Sequence, residues 1–266
     1  MMVLKILTIG GSDTWGGGGI QTDLKTFENL QSFGLSVLTC IAVEKNEDFV
    51  IRSLPAYLID EQLKTIESSF QLDGIKIGLL STLETIELVQ DFCKRNRGNF
   101  PIILDPVLAF KETEQHLQDE YIDKIKKLIP FADVVTPNLK EMKLLTNYSE
   151  IQTISDMEKT CQQLFAETGT PILLKGGTKI AKDSAIDYYM DGKVAQRFDG
   201  PISEKKTING AGCCLSAAIC SYLVQGFSMI ESIKLSKRFV YEAIENGVSL
   251  GADGNVWHPN LERSSQ

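Results

Sequence analysis

Short apolar runs alternate along this chain with longer segments whose apolar residues recur every three or four positions. The strand-like runs, each ended by glycine, proline or a polar residue, are residues 5–9, 35–43, 74–77, 101–105, 133–135 and 171–175. Helical spacing covers residues 19–30, 58–70, 83–93, 121–128, 153–168, 213–224 and 229–245, and another helix begins at Leu139. This alternation predicts repeated β–α–β units, and therefore an α/β fold with a mostly parallel central sheet between two helical layers.

Two further β runs, residues 185–190 and 194–198, are joined by Asp191-Gly192, which is a typical hairpin turn. They predict antiparallel strands at one edge of the sheet. With no linker, low-complexity run or internal repeat, we expect a single domain over residues 1–266. In such sheets ligands bind at the carboxyl ends of the strands. These ends carry the residues 10–13, 43–44, 78, 105–106, 136–138 and 175–177.

Composition and charge narrow the class of protein. The 266 residues are 43% hydrophobic and 23% charged, which is ordinary for a globular chain. A net charge of -8 and dispersed basic residues argue against a nucleic-acid partner. No apolar run is long enough for a membrane span, and no signal peptide is expected because a strand-like run begins at Val3. Six cysteines without CxxC spacing and only two histidines disfavour zinc and predict a reducing, cytoplasmic location.

The segment from Thr207 to Ala218 is the strongest chemical signal. Its Gly210-Ala211-Gly212 turn enters an apolar helix, so free backbone N–H groups and a helix dipole favour an anion there. Cys213 follows in the first helical turn, where the field favours the thiolate, and it is a candidate base or nucleophile. A phosphate cradle beside such a side chain suits phosphoryl transfer. Taken alone, the motif fits a glycine-rich helix start with a structural cysteine equally well.

A second glycine-rich stretch follows the first strand, with six glycines between residues 10 and 19. It allows the backbone to lie close to a flat ligand, although a flexible turn is the simpler alternative. The GxxxxGK[ST] motif of P-loop enzymes is absent, and so is a GxGxxG dinucleotide motif after the first strand. Asp23 lies early in the next helix, where the helix dipole by itself explains a carboxylate.

Oxygen ligands at neighbouring strand ends suggest a cation. Asp105 ends one strand, and Asn138 and Glu141 open the helix after the next. Such residues suit Mg²⁺ bound partly through water, while capping and solvated carboxylates are the alternative. Lys175, before Gly176-Gly177, is a candidate phosphate ligand or else an ordinary surface lysine.

Seven motifs together resemble the ribokinase-like superfamily, in the branch of hydroxymethylpyrimidine/phosphomethylpyrimidine kinases and related bacterial pyridoxal kinases. They are Leu7-Thr-Ile-Gly-Gly-Ser-Asp13, Gly16-Gly-Gly-Gly-Ile-Gln-Thr-Asp-Leu-Lys-Thr-Phe27, Ile75-Lys-Ile-Gly-Leu-Leu80, Leu104-Asp-Pro-Val107, Thr136-Pro-Asn-Leu-Lys-Glu141, Leu174-Lys-Gly-Gly177 and Gly210-Ala-Gly-Cys213. The resemblance implies a three-layer α/β/α sandwich and ATP- and Mg²⁺-dependent phosphorylation of a hydroxymethyl group on a small vitamin precursor. It also implies a homodimer.

The resemblance implies roles for particular residues. Gly210, Ala211 and Gly212 would form the anion hole, with Cys213 in the position of the aspartate base of related sugar kinases. The nucleotide ligands would be Lys175, Gly177, Asn138 and Lys237. The metal and its waters would be organised by Asp105 and Glu141. The substrate pocket would be lined by Gly11, Gly19, Asp23, Glu44 and Val107.

The substrate is less sharply indicated. The Gly-Ala-Gly-Cys form is common among the related pyridoxal kinases, but their second, lid cysteine is replaced here by Phe110. Glu44 matches the carboxylate or amide that reads an aminopyrimidine edge, where pyridoxal kinases tend to have methionine. We expect 4-amino-5-hydroxymethyl-2-methylpyrimidine, and also its monophosphate, as substrate, with pyridoxal as the alternative. A non-catalytic small-molecule binder on the same fold is disfavoured by the intact set of site residues.

Overall fold

The computed structural model describes residues 3–45, 48–108, 115–250 and 253–259, and a nine-stranded sheet runs through them. Its strands are β1 (Lys5–Asp13), β2 (Phe33–Lys45), β3 (Asp48–Ser53), β4 (Gly74–Ile77), β5 (Ile102–Leu104), β6 (Val134–Val135), β7 (Ile172–Gly177), β8 (Ala185–Met190) and β9 (Ala195–Gly200). The order is β3-β2-β1-β4-β5-β6-β7-β8-β9. Strands β2 to β7 of this order pair in parallel, and β8, β9 and β3 are antiparallel. The predicted parallel sheet with an edge hairpin is confirmed.

Helices cover both faces of the sheet. They are α1 (Gly19–Asn29), α2 (Ala56–Ser69), α3 (Leu83–Asn96), α4 (Gln115–Leu128), α5 (Leu139–Thr146), α6 (Ile154–Thr168), α7 (Ala211–Val224) and α8 (Met229–Glu245). Helices α2 to α6 share one core, and α1, α7 and α8 share the other. Successive strand residues supply opposite cores, as Ile6 and Leu7 do, because strand side chains alternate between faces. This explains why the central strands read as unbroken apolar runs.

Helix starts follow local capping signals. The N-caps of α5, α6 and α8 each form a capping box with the carboxylate three residues later, in the pairs Asn138–Glu141, Thr153–Asp156 and Ser228–Glu231. Each box satisfies backbone N–H groups that the first helical turn leaves free. The helices predicted from periodicity agree with the structure at these caps. The predicted span 153–168 begins one residue before α6, and the predicted span 229–245 has the observed bounds of α8.

Three strands were not predicted. Strand β3 extends the sheet beyond β2, and the hairpin of β10 (Val248–Leu250) and β11 (Asp253–Asn255) follows α8. Strand β3 has only a three-residue apolar run between polar ends, and β10 and β11 have three residues each, so none of the three shows a clear two-residue period. The edge hairpin also turns over residues 191–194, because the Asp191 carboxylate accepts N–H bonds from Lys193 and Val194. None of the described helices is both long enough and apolar enough to cross a membrane.

Candidate active site

Two glycine segments that are distant in sequence touch at the carboxyl edge of the sheet. Gly210 has φ +85°, and a Cβ there would lie 1.7 Å from the carbonyl oxygen of Gly17. Gly19 has φ +58°, and its Cβ would lie 2.1 Å from the carbonyl oxygen of Gly11. Only glycine permits both the positive φ and these backbone contacts. The start of α7 is thereby fixed against the loop that leads into α1.

That loop is held by Asp13, a residue for which we predicted no role. Its carboxylate accepts N–H bonds from Trp15 at 2.9 Å, Gly17 at 3.0 Å and Gly18 at 2.9 Å. From the opposite side, the amide of Asn255 in β11 donates to the carbonyl oxygen of Trp15 at 3.0 Å. The glycine loop is therefore an ordered part of the site rather than a loose turn.

Cys213 lies in the first turn of α7 and is half-buried, whereas the other five cysteines are buried. The N–H of Gly19, the first residue of α1, also acts on its sulfur. Burial raises the pKa of Cys213, whereas Lys76 and the Gly19 N–H lower it and the carboxylates of Asp23 and Asp105 raise it. The net pKa is raised, because desolvation outweighs the groups that favour the thiolate. A thiolate at this helix start therefore stays a prediction.

The charged neighbour of Cys213 that sequence reasoning missed is Lys76, in β4. Its Nζ lies 2.8 Å from Oδ2 of Asp23, which also accepts the hydroxyl of Thr8 at 2.6 Å. Asp23 is fully buried, so it does not itself line an open substrate pocket. A lysine inside the four-residue apolar strand Gly74–Ile77 was the signal, because a lysine is rarely buried without a partner.

The side chain of Asp105, which follows β5, forms hydrogen bonds with α7 and with the end of β7. Its Oδ1 accepts Nζ of Lys175 at 2.5 Å and the hydroxyl of Thr136 at 3.3 Å, and its Oδ2 accepts the hydroxyl of Ser216 at 3.3 Å. A Cβ at Gly212 would lie 3.4 Å from the same Nζ. The lysine ammonium thus lies beside the first turn of α7, where a transferred phosphoryl group would need a cation.

Glu141 is the second predicted metal residue and lies in the first turn of α5. Its Oε2 accepts the backbone N–H of Asn138 at 2.7 Å, while the Asn138 side chain caps the helix. Burial raises the pKa of Glu141 to about 7, since Lys175 only partly offsets it and Asp105 adds to it. A cation near Glu141 and Asp105 would favour their charged forms and so oppose the rise in the pKa of Glu141.

Magnesium fits this donor set through water. Within the described residues no group of three or more His, Cys, Asp or Glu side chains could hold a metal. Mg²⁺ keeps several waters and typically takes one or two carboxylates together with substrate phosphates. Asp105 and Glu141 provide that number of carboxylates.

The predicted nucleotide residues line one cleft of about 840 Å³, within the size range of small-molecule sites. Its walls include Asn138, Lys175, Gly177, Ala211, Gly212, Lys237, Leu215 and Val240. Lys237 is tethered at 2.5 Å to Asp187, whose other oxygen accepts the N–H groups of Gly176 and Gly177. The cleft therefore combines apolar walls with cations, as a nucleotide site requires.

None of the five predicted substrate residues, Gly11, Gly19, Asp23, Glu44 and Val107, is among the residues that line this cleft. Glu44 is exposed near the end of β2, where it pairs in register with β3. Val107 is half-buried two residues after Asp105. Phe110 lies outside the described residues.

The geometry matches a known family. The chain matches the phosphomethylpyrimidine kinase family over residues 13–258. It belongs to that family. It is 34% identical to the hydroxymethylpyrimidine/phosphomethylpyrimidine kinase of Aquifex aeolicus, over 92% of this chain and 96% of the relative. It is 33% identical to the pyridoxine kinase of Bacillus subtilis, over 94% and 93%. Like these relatives, the family member described here is an ATP-dependent phosphotransferase.

Solved structures agree on the fold. The pyridoxal kinase of Staphylococcus aureus in complex with AMP-PCP superposes with a TM-score of 0.90 at 33% identity, covering 99% of this chain and 96% of that one. The phosphomethylpyrimidine kinase of Clostridium difficile gives 0.76 at 29% identity, covering 90% and 100%. The ribokinase-like sandwich is thereby confirmed.

Proposed function

We propose that this kinase phosphorylates the hydroxymethyl group of 4-amino-5-hydroxymethyl-2-methylpyrimidine, and then its monophosphate, as a single catalytic domain. The observation that carries the proposal is the meeting of Cys213, the Gly210–Gly212 turn and Lys175 at one helix start, between the nucleotide cleft and the glycine loop. Relatives that carry this activity in their names align over nearly the whole chain.

The residues divide the reaction among themselves. ATP lies in the cleft with its terminal phosphate at the start of α7, where the backbone N–H groups and Lys175 bind it. The substrate lies across Cys213, against the loop of residues 14–18. Asp105 and Glu141 would hold Mg²⁺ mainly through water, and the metal would neutralise part of the phosphate charge.

One base, Cys213, accounts for the proton that the substrate hydroxyl loses during the transfer. The Cys213 thiolate accepts the hydroxyl proton, and the freed oxygen pair forms a bond to the γ-phosphorus. The bond from that phosphorus to the bridging oxygen breaks, and ADP keeps the electron pair. Gly210, Ala211 and Gly212 hold the phosphoryl oxygens as charge shifts. Cys213 then returns its proton to solvent.

Pyridoxal phosphorylation is the second candidate. It is favoured by the TM-scores of 0.90 and 0.91 to the pyridoxal kinases of S. aureus and B. subtilis, which exceed the 0.76 to the phosphomethylpyrimidine kinase. Glu44 favours the pyrimidine, because a carboxylate accepts hydrogen bonds from an exocyclic amine.

Two further parts of the proposal concern the setting of the enzyme. All six cysteines are free, which supports a reducing cytoplasm. The protein is a homodimer, and the outer edge of β3, unpaired within the described residues, offers a strand edge to a second copy.

An ADP-release assay decides between the substrates. We expect hydroxymethylpyrimidine to be turned over at lower concentration than pyridoxal, with ADP released in proportion to product. Equal or better use of pyridoxal would overturn the pyrimidine assignment, and turnover of neither vitamin would overturn the proposed function. Light scattering of the same sample tests the dimer.

A further inference from the structure

Two segments from distant parts of the chain face the vitamin in the reaction described above, and one residue contacts both. One segment leads through Asn209 into the start of α7, and the other is the glycine loop of residues 14–18. Asn255, in β11, contacts both segments and is only 8% exposed. It has no part in the transfer steps, so its buried amide needs another explanation.

The main chain around Asn255 is bound to the segment that leads into α7. Asn255 pairs with Asn209 in a short parallel bridge. The Asn209 N–H donates to the carbonyl of Gly254 at 3.1 Å, and the Asn209 carbonyl accepts the N–H of Val256 at 3.0 Å. On its other side Asn255 pairs with Val248 of β10. These contacts use main-chain atoms, so a change of side chain at position 255 leaves them in place.

The side chain of Asn255 is bound to the glycine loop. Its Nδ2 donates to the carbonyl of Trp15 at 3.0 Å. A Cβ added at Gly17 would lie 2.3 Å from Oδ1 and 2.7 Å from Cγ, so the amide packs directly against the Gly17 main chain. Asp13, which holds the loop N–H groups, belongs to the same segment and sets the shape of the loop. Asn255 instead ties the loop to the segment before α7.

We propose that Asn255 is a positioning residue for phosphoryl transfer, which holds the glycine loop at the distance from the start of α7 that brings the vitamin hydroxyl to Cys213. The inference rests on the proposed function, because the place of the loop matters to catalysis only if the vitamin lies between the loop and Cys213. Transfer requires reacting atoms about 3–3.5 Å apart, and a misplacement of about 1 Å costs on the order of 10²-fold in rate. A hydrogen bond that limits movement of the loop therefore contributes to the rate.

Steady-state kinetics of the whole protein with ATP and hydroxymethylpyrimidine test the effect on catalysis. Asn255→Ala removes the N–H donor, and Asn255→Asp keeps the size of the side chain but turns a carboxylate oxygen towards the Trp15 carbonyl. In both variants we expect kcat/KM for the vitamin to fall by about 10- to 100-fold. The KM for ATP should stay unchanged, because the described residues that line the nucleotide cleft include neither Asn255 nor residues 14–18. If the unmodified enzyme prefers pyridoxal, the same constants are measured with pyridoxal.

Asn96 supplies a matched control. Its Nδ2 also donates to a main-chain carbonyl, that of Phe92 at 2.9 Å, and the bond is likewise partly buried. It lies at the end of α3, which covers the other face of the sheet from α7. Asn96→Ala and Asn96→Asp should therefore leave both kinetic constants unchanged.

Hydrogen exchange measures the loop itself and needs no turnover. The N–H groups of Trp15, Gly17 and Gly18 are bonded to Asp13, so their exchange, followed by mass spectrometry, reports how firmly the loop is held. Asn255→Ala should speed exchange in residues 14–18 by about fivefold, the effect of losing one hydrogen bond. Exchange in β5 should not change, which shows that the sheet remains folded.

Every combination of results decides for or against the inference. Faster exchange in the loop together with a lower kcat/KM for the vitamin supports it. Either change without the other overturns it, because the movement of the loop and the loss of rate would then be unrelated. A comparable rise in the KM for ATP also overturns it, since the variant would have loosened the whole site. Failure of the proposed function is seen separately, as absence of turnover of either vitamin by the unmodified enzyme.

Discussion

At the scale of the residue, Cys213 stands between opposing influences. Burial favours its neutral thiol, while Lys76 and the Gly19 N–H favour the thiolate. Cys214, its neighbour in sequence, is 2% exposed and packs on Thr26, and burial raises its pKa to about 12. Adjacent cysteines on one helix thus have different chemistry because they face different surroundings.

Replacing Cys213 by alanine should lower turnover by about 10²-fold or more, because a base is lost from the transition state. Binding of AMP-PCP, measured by calorimetry, should change little, since the nucleotide cleft remains. Cys220→Ala, in the buried middle of the same helix, is the control and should cost stability rather than turnover. Near-normal turnover by the Cys213 variant would remove the catalytic role.

Glu44 should set the choice between vitamins. Its carboxylate is exposed in the free protein. A free-energy cost for leaving it without a hydrogen-bond donor therefore arises only once a bound ligand covers it. Pyridoxal offers this position no exocyclic amine, and an unsatisfied buried polar group costs about 1–3 kcal/mol, or roughly 5- to 150-fold in affinity. Glu44→Met should narrow or invert the ratio of KM values for the two vitamins. An unchanged ratio would show that selectivity lies elsewhere.

At the scale of the element, the start of α7 depends on the loop before α1. The N-cap Gly210 adopts the left-handed conformation and packs on Gly17. Gly17 in turn lies against the Asn255 side chain, since a Cβ added at Gly17 would lie 2.3 Å from Oδ1 of Asn255. The hairpin of β10 and β11 therefore supports both the glycine loop and the helix start. The phosphate cradle is a property of these elements together.

Gly210→Ala should unfold the cradle and abolish turnover, because the added methyl group would meet the Gly17 carbonyl. Gly226→Ala is the matched control. Gly226 has φ +93° with no atom within 4 Å of the hypothetical Cβ, so only the backbone strain of about 1–2 kcal/mol applies. Thermal unfolding should show a clearly larger loss of stability for Gly210→Ala than for Gly226→Ala. Equal losses of stability would contradict the close approach of Gly210 to the Gly17 carbonyl.

At the scale of the whole molecule, the sheet assembles a charged cluster from separate β–α units. Asp105 follows β5, Glu141 opens α5 after β6, and Lys175 lies in β7. Burial works against the charge on Lys175, but Asp105 and Glu141 hold its pKa above the usual value. The parallel order of the strands makes this cluster possible.

Phosphoryl transfer should require magnesium, and EDTA should abolish it. Glu141→Gln should raise the Mg²⁺ concentration needed for the half-maximal rate, because one of the two carboxylates near the metal loses its charge. Glu150→Gln, which removes an exposed carboxylate paired with Lys143 at 2.7 Å, should leave that concentration unchanged. Activity that survives EDTA would contradict the kinase mechanism.

Much of this architecture follows from the sequence by itself. The alternation of apolar strands with amphipathic helices determines the parallel sheet, because a run such as Ile102–Leu104 is stable only with both faces covered. The rule that ligands bind at the carboxyl ends of parallel strands then gathers Asp105, Asn138 and Lys175 without any coordinates. Each of these residues lies at or just after a strand that the local sequence pattern predicts, so grouping them needs no knowledge of long-range contacts.

Only the tertiary structure decided the charges around Cys213. The sequence shows a cysteine at a helix start, but the desolvation that raises its pKa and the Lys76–Asp23 pair that opposes it come from residues on β4 and α1. It likewise decided that Glu44 is exposed and that the hairpin of β10 and β11 supports the glycine loop. Burial and long-range contact depend on how distant segments meet, and periodicity along the chain carries no measure of that.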